Sequence, residues 1–254
     1  METEVVRIDA EKKIKAQDTI TEEVFLTVHL NDRMLLTLSC TPGYEKELSV
    51  GFLFSSGLIH SLDEIELIFI NTKAMSSHIS LKDKTIDADM LFDRVYTSGC
   101  GRGVLYYNVL DLAHRKVITS DMRIQSDTIT ALMKSFEKRS VVFKRTGGVH
   151  SAALSDGREI LVFSEDIGRH NALDKVIGMA LYQHITMEDA IVLTSGRVSS
   201  EIMYKIQKMG SPCIVSRSAP TSLSVELAKK WNVTLVGFAR GRKMNVYTAQ
   251  ERIV

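Results

Sequence analysis

Between residues 149 and 239 the chain alternates short β-branched runs with segments of helical periodicity, and this alternation limits the possible folds more than any other feature. Residues 149–154 and 159–164 read as two strands around Asp156-Gly157, a tight hairpin signal. A helix over 171–183, a strand over 190–194, a helix over 198–209 ended by Gly210, a strand over 212–216, a helix over 221–231 and a strand over 233–239 follow in turn. Elements of this order and length imply right-handed βαβ crossovers and a mostly parallel sheet covered on both faces, with one antiparallel strand contributed by the hairpin. An amphipathic helix over 126–139, with Ser126 as its N-cap and Ile129, Leu132, Met133 and Phe136 on one face, opens this half.

The first half reads differently. A hairpin over 24–39 turns at Asn31-Asp32, and a helix over 44–58 carries Glu45 and Glu47 in its first turn and Gly57 at its end. Short strands are expected between residues 65 and 92, and 94–106 is less regular. The expectation is an α/β protein of two closely joined domains: a smaller α+β domain over 1–118 that includes a cysteine loop at 96–104, and an α/β domain over 119–254. Three prolines in 254 residues and no Ser/Gly-rich tract leave no flexible linker between them.

With 32 Lys and Arg against 31 Asp and Glu there is no global positive field, which argues against nucleic acid or an acidic membrane as a partner. The first fifteen residues lack an apolar core of the signal-peptide kind, and no apolar stretch reaches the ~18 residues of a membrane span, so a cytoplasmic protein is expected. Cys40, Cys100 and Cys213 form no close pair, which removes disulfide frameworks and CxxC zinc or redox modules. No metal site is expected.

Parallel strands of one sheet end at one edge, so the segments Thr194-Ser195-Gly196-Arg197, Arg217-Ser218-Ala219-Pro220-Thr221 and Arg240-Gly241-Arg242-Lys243 should lie side by side. Helix N-termini, glycines that admit a ligand close to the backbone, and arginine forks together predict a phosphate or pyrophosphate site there. Each loop alone is also good turn and capping chemistry. Residues 164–171 add Asp166, Arg169 and His170, with His170 either donating to a ligand or capping the next helix alongside Asn171 and Asp174. Gly147 and Gly148, before His150, mark a tight bend or a close ligand approach. No Walker A loop and no GxGxxG between a strand and a helix are present.

Thr97-Ser98-Gly99-Cys100-Gly101-Arg102-Gly103 sets one thiol among three glycines and beside a cation that would favour the thiolate. The plain alternative is a glycine-rich turn with an incidental cysteine. Cys213, in an apolar run, and Cys40, at a strand end, read as core.

These segments resemble the formate dehydrogenase accessory sulfurtransferase family. The resemblance spans nearly the whole chain and is carried by Gly51-Phe52-Leu53 with Gly57-Leu58-Ile59, by Tyr96 to Gly101, by Thr146-Gly147-Gly148-Val149-His150, by the run from Glu165 to Lys175, by Ser195-Gly196-Arg197, by Ser218 to Leu223 and by Gly237-Phe238-Ala239-Arg240-Gly241-Arg242. It implies that a cysteine desulfurase loads Cys100 with persulfide sulfur for the molybdenum or tungsten bis-molybdopterin guanine dinucleotide cofactor of a formate dehydrogenase catalytic subunit. That cofactor is bound as a client, and GDP-like nucleotides are expected to mimic it. Its cofactor-binding residues would then be Gly147, Gly148, His150, Asp166, Arg169, His170, Ser195, Gly196, Arg197, Arg217, Ser218, Ala219, Thr221 and the run Phe238, Ala239, Arg240, Gly241, Arg242 and Lys243. It further implies a homodimer and a cytidine-deaminase-like three-layer α/β/α second domain.

One position departs from the family pattern: many members carry CxxC in the loop, whereas here Cys100-Gly101-Arg102-Gly103 has a single thiol. A persulfide needs one sulfur anchor, so a one-cysteine relay stands beside the alternative of a cofactor-binding chaperone that transfers no sulfur. A zinc deaminase, the rival suggested by the fold, lacks its glutamate (position 172 is Ala) and its PCxxC ligands.

Overall fold

The computed structural model describes residues 1–10, 12–84, 92–96, 104–108 and 116–254. The chain opens with a hairpin of β1 (Glu2–Asp9) and β2 (Lys12–Thr19), followed by β3 (Val24–Leu30), β4 (Arg33–Cys40), α1 (Glu45–Ser55), β5 (Ile65–Asn71) and β6 (Ser76–Leu81). A short antiparallel pair, β7 (Phe92–Tyr96) and β8 (Val104–Asn108), occupies the stretch read from sequence as irregular. Then come α2 (Ser126–Arg139), α3 (Val141–Thr146), β9 (His150–Ser155), β10 (Ile160–Asp166), α4 (Arg169–Tyr182), β11 (Ile191–Thr194), α5 (Ser200–Met209), β12 (Cys213–Ser216), α6 (Ser222–Trp231), β13 (Thr234–Arg240) and β14 (Lys243–Val246).

The second half builds a six-stranded sheet in the order β10-β9-β11-β12-β13-β14. β11, β12 and β13 are parallel, as the βα alternation demands, and β9 runs against both of its neighbours. The expectation of a single antiparallel strand needs correction. β14 pairs antiparallel with β13 and closes the far edge, because Gly241, at φ 58°, turns the chain straight back. Every crossover from β10 through α4, α5 and α6 moves the same way along the sheet, so right-handedness places all three helices on one face. On that face Leu154, Val162, Val192, Ile214 and Leu235 meet them, and the same apolar cluster continues into α1 and the four-stranded sheet β4-β3-β6-β5. The alternate residues Ala153, Ile191, Leu193, Cys213, Val215 and Val236 point to α2, whose Ile129, Leu132, Met133 and Phe136 each gain roughly 1.5–3 kcal/mol by burial. Ser126 is the first residue of α2 rather than its N-cap: Gln125, with extended backbone, holds the cap position and its carbonyl accepts from Ile129 N–H at 3.3 Å, while Ser126 N–H donates to the Val254 carbonyl at 2.8 Å.

α1 and α4 are buried on all sides, which is why their sequences, Leu48 to Ser55 and Asn171 to Ala180, show almost no polar face. Their backbones touch. A Cβ added to Gly51 would lie 1.8 Å from the Asp174 carbonyl oxygen, and one added to Gly178 would lie 2.0 Å from that of Glu47. Two buried ion pairs close this seam. Lys175 Nζ sits 2.8 Å from Asp166 and donates to the Thr41 carbonyl at 2.9 Å, and Lys205 Nζ bridges Asp174 (2.6 Å) and Ser55 Oγ (2.8 Å). Asp174 therefore serves the seam and is no capping partner of Asn171, whose side chain reaches across to the Ser39 carbonyl at 2.7 Å.

The seam makes a direct prediction. Gly178→Ala drives a methyl into a backbone carbonyl that no rotamer change can relieve, so unfolding by denaturant should show a loss of about 3 kcal/mol or more. A loss under about 1 kcal/mol would mean that α1 and α4 are free to move apart.

Candidate functional site

The loops after β11, β12 and β13 lie side by side at one sheet edge and are zipped together by their own backbones. Arg217 N–H donates to the Thr194 carbonyl (3.1 Å), Val198 N–H to Ala219 (3.1 Å), Thr221 N–H to Val198 (3.0 Å) and Phe238 N–H to Ser218 (3.1 Å). Side chains tighten the same loops: Ser216 Oγ donates to the Gly196 carbonyl at 2.7 Å, and Arg240 Nε donates to the Arg217 carbonyl at 2.8 Å. Phe238 holds φ at 52°, a strained state for an aromatic residue that costs ~1–3 kcal/mol, at the irregularity between Gly237 and Arg240 that bends the end of β13.

A cleft of about 540 Å³ opens at this edge, within the ~300–1,000 Å³ of small-molecule sites. Ser195, Arg217, Ser218 and Arg240 line it from the strand loops, and Gly147, Gly148, His150 and Ser151 from the entry to β9. Gly147, at φ 65°, ends α3, and a Cβ on Gly148 would meet Thr21 Oγ1 at 2.5 Å, so both glycines answer to local packing as well as to the cleft. Ser195 extends the β9–β11 ladder: its N–H donates to the Ser151 carbonyl (3.0 Å), and its Oγ accepts from Ser151 N–H (2.9 Å) while facing His150 Nδ1 at 3.3 Å. Arg217 lies 3.2 Å from Glu137 of α2, which fixes one side of its guanidinium fork.

The remaining sequence-predicted residues fall elsewhere. Asp166 is fully buried and saturated by Lys175, Thr41, Gly168 and Asn171, so it serves the seam and not the cleft. Thr221 caps α6 in a reciprocal box with Ser224, the plain reading of that loop. Arg197, Gly241 and Lys243 are exposed outside the cleft lining, and Arg242 extends into solvent 4.0 Å from Asp127. Ala239 is buried against the α2 face of the sheet. Arg169 lies over Gly196, where a Cβ would approach its own Cβ to 2.9 Å. His170 Nε2 meets the Glu201 carboxylate at 2.8 Å, an interaction no sequence spacing announced.

Sequence reasoning also missed α3, because six residues are too few for a period to register. Phe143 of α3 and Phe136 of α2 both line the cleft. The signal was present as three consecutive apolar residues, Val141, Val142 and Phe143, between Ser140 and two basic residues.

Cysteine chemistry is narrowed by burial. It pushes the Cys40 thiol up to about 12, helped by the nearby Asp166 charge, and pushes Cys213 up to about 12 as well, so neither forms a thiolate near neutrality. Cys100 and its loop at 97–103 lie outside the described residues.

The fold and its strand-end cleft define a mixed α/β protein with arginine, histidine and serine gathered at one sheet edge. The profile of the FdhD/NarQ family matches residues 21–254, and the chain belongs to that family. It is 39% identical over 237 residues to the sulfur carrier protein FdhD of Bacillus pumilus, covering 93% of this chain and 90% of that one. With the sulfur carrier protein FdhD of Bacillus subtilis it shares 40% over 240 residues, 94% and 92% of the two chains. The crystal structure of a chain from Desulfotalea psychrophila, described as a formate dehydrogenase accessory protein, superposes with a TM-score of 0.80 at 26% identity over 100% of this chain and 99% of that one. Among the described residues no helix is long and apolar enough to cross a membrane.

Burial lowers the proton affinity of both His150 and His170, reinforced at His150 by Arg169 and opposed at His170 by Glu201. His150 thus stands in the cleft as a neutral hydrogen-bonding ring at neutral pH. Because the unfolded chain takes up protons that the folded one refuses, this pair contributes stability above the ordinary imidazole value of ~6.5 that is lost as pH falls below it. Thermal unfolding between pH 7.5 and 5 should show a falling midpoint, with a shallower fall in a His150→Gln/His170→Gln variant. An unchanged slope in that variant would contradict the assignment.

Proposed function

We propose that this protein is a sulfur carrier for formate dehydrogenase that holds the molybdenum or tungsten bis-molybdopterin guanine dinucleotide cofactor of that enzyme as cargo in the strand-end cleft. The observation that carries the reading is the cleft itself, where Arg217 and Arg240 stand beside Ser195, Ser218 and the neutral His150 in a volume suited to a nucleotide. Charge-assisted hydrogen bonds from two guanidinium groups suit a pyrophosphate, and neutral donors suit a base or sugar edge. The names of the Bacillus relatives support the sulfur-carrying half of the proposal.

Cys100 is the carrier thiol. Its thiolate attacks the outer sulfur of a cysteine desulfurase persulfide, forming a new S–S bond at Cys100 as the desulfurase cysteine leaves as a thiolate. Burial of Cys40 and Cys213 supports this choice, since a thiol held near 12 supplies almost no nucleophile at neutral pH. Loop glycines around Cys100 suit a thiol that must visit both donor and cargo. The chain acts as a cytoplasmic homodimer, and the layer order of α2, sheet, and α4 with α5 and α6 supports the reading of its second half as a cytidine-deaminase-like domain. A chaperone that binds cofactor without moving sulfur is the second reading, favoured by the single cysteine of Cys100-Gly101-Arg102-Gly103.

Intact-protein mass spectrometry after incubation with a cysteine desulfurase and cysteine separates the two. Wild type and Cys213→Ala should gain one sulfur mass that reductant removes, and Cys100→Ala should gain none. Equal uptake by Cys100→Ala removes Cys100 as the carrier thiol, and no uptake by the wild type leaves the chaperone reading.

A further inference from the structure

Beside the cleft, the turn from α2 into α3 concentrates positive charge in a chain that is otherwise balanced. Residues 138–148 carry Lys138, Arg139, Lys144 and Arg145 and no acidic residue, against 32 basic and 31 acidic residues in the whole chain. All four cations are exposed, and between them α3 presents Val141, Val142 and Phe143 to solvent at 54, 39 and 42% exposure. Single apolar side chains on a surface are ordinary, but three in succession flanked by cations have the make-up of an interface centre and its charged rim. The corner is also held in one shape. Backbone N–H groups of Val142 and Phe143 each donate to the Glu165 carboxylate at 2.9 Å, and Lys144 Nζ donates to the Lys138 carbonyl at 3.0 Å. At the far end of α3, Thr146 Oγ1 donates to the Val142 carbonyl (2.9 Å) and accepts from Thr21 Oγ1 (2.8 Å). A surface ordered before it meets a partner loses less conformational freedom on binding.

Position and chemistry select the partner. Phe143, Gly147 and Gly148 line the cleft, whereas Val141, Val142 and the four cations do not, so the corner forms the rim of the cleft. A protein seated there faces the cleft mouth. Cations spread around an aliphatic centre match a broad acidic surface with an apolar spot, while a single phosphate takes a converging fork. A lipid surface favours tryptophan or tyrosine at its apolar contact, and residues 138–148 contain neither. We propose that this corner is the docking surface for an acidic, partly apolar face of the protein that receives the cargo, formate dehydrogenase lacking its cofactor. This rests on the reading of the cleft as the place where cargo is held for that enzyme, and adds the surface that aligns the two proteins for transfer.

The test is the binding of purified, cofactor-free formate dehydrogenase to the full chain, followed by biolayer interferometry at low and high salt. Lys144→Glu/Arg145→Glu should weaken binding roughly 10-fold or more at low salt, chiefly through slower association, with the difference shrinking as salt rises. Val141→Asp should weaken it roughly 5- to 50-fold, chiefly through faster dissociation. Lys229→Glu/Lys230→Glu makes the same charge change on exposed residues in the last turn of α6 and should cost less than about twofold. All three variants should still accept one sulfur from the cysteine desulfurase, which shows that they are folded. Equal losses in the two charge-reversal variants, or no loss in either corner variant, overturn the docking surface and leave the proposed function standing. Loss of sulfur uptake in the corner variants with dehydrogenase binding intact also overturns it, by assigning the corner to the sulfur donor. Sedimentation of the wild type, but not of Lys144→Glu/Arg145→Glu, with phosphatidylserine vesicles would assign the corner to a membrane instead. If the dehydrogenase does not bind the wild type, the delivery reading falls and the docking surface with it.

Discussion

The contact between α1 and α4 at Gly51 and Gly178 is the constraint on which the rest of the structure depends. Two helices from different halves of the chain approach until backbone meets backbone, which removes water from the seam and sets the charges of Asp166 against Lys175 and of Asp174 against Lys205. Buried pairs of this kind recover their desolvation cost only when every remaining hydrogen-bonding site is filled. Here Thr41 and Ser55, one after β4 and one at the end of α1, fill them, so polar satisfaction in the second half requires the first half to be docked. Deleting a single member would strand its partner, which is why the network specifies one arrangement of the two halves.

That arrangement reaches the cleft through short paths. Asp166 anchors the end of β10 to the seam, and the residue before it, Glu165, fixes α3 on the cleft wall. Arg169 and His170 start α4, the helix whose far side is the seam, and lie against Gly196 and Glu201 of the neighbouring strand loop and α5. Backbone N–H groups of Val198, Arg217, Thr221 and Phe238 are spent on neighbouring loops, so the strand edge is cross-braced, and Arg217 and Arg240 are each steadied by a further contact, to Glu137 and to the Arg217 carbonyl. Such a scaffold suits a ligand held firmly.

Much of this was legible in the sequence. The βα alternation from residue 149 onward carried the parallel core of the sheet, the shared edge and the three loops, because period and length are backbone properties that tertiary context seldom overrides; the strand order itself is seen only in the structure. Polar residues were harder to place. Asp166, Asp174 and Thr221 carry the same side-chain chemistry as ligand-binding groups, and only the partners they meet, Lys175, Lys205 and Ser224, show that they serve packing and capping. Arg217 and Arg240 reach the cleft while Arg197 and Arg242 do not, a difference set by side-chain direction at loop ends and invisible to spacing. α3, β14 and the β1–β2 hairpin escaped notice because each is too short, too polar or too exposed to show a burial period.

In the proposed function a thiol carries sulfur, an arginine-lined cleft holds the recipient, and delivery requires both. Labelled persulfide followed from the loaded protein into formate dehydrogenase tests that claim most directly. An Arg217→Ala/Arg240→Ala variant should accept label on Cys100 as the wild type does, yet pass little of it on. Delivery from that variant at the wild-type rate would contradict the account, because sulfur would then reach the enzyme without passing through the cleft.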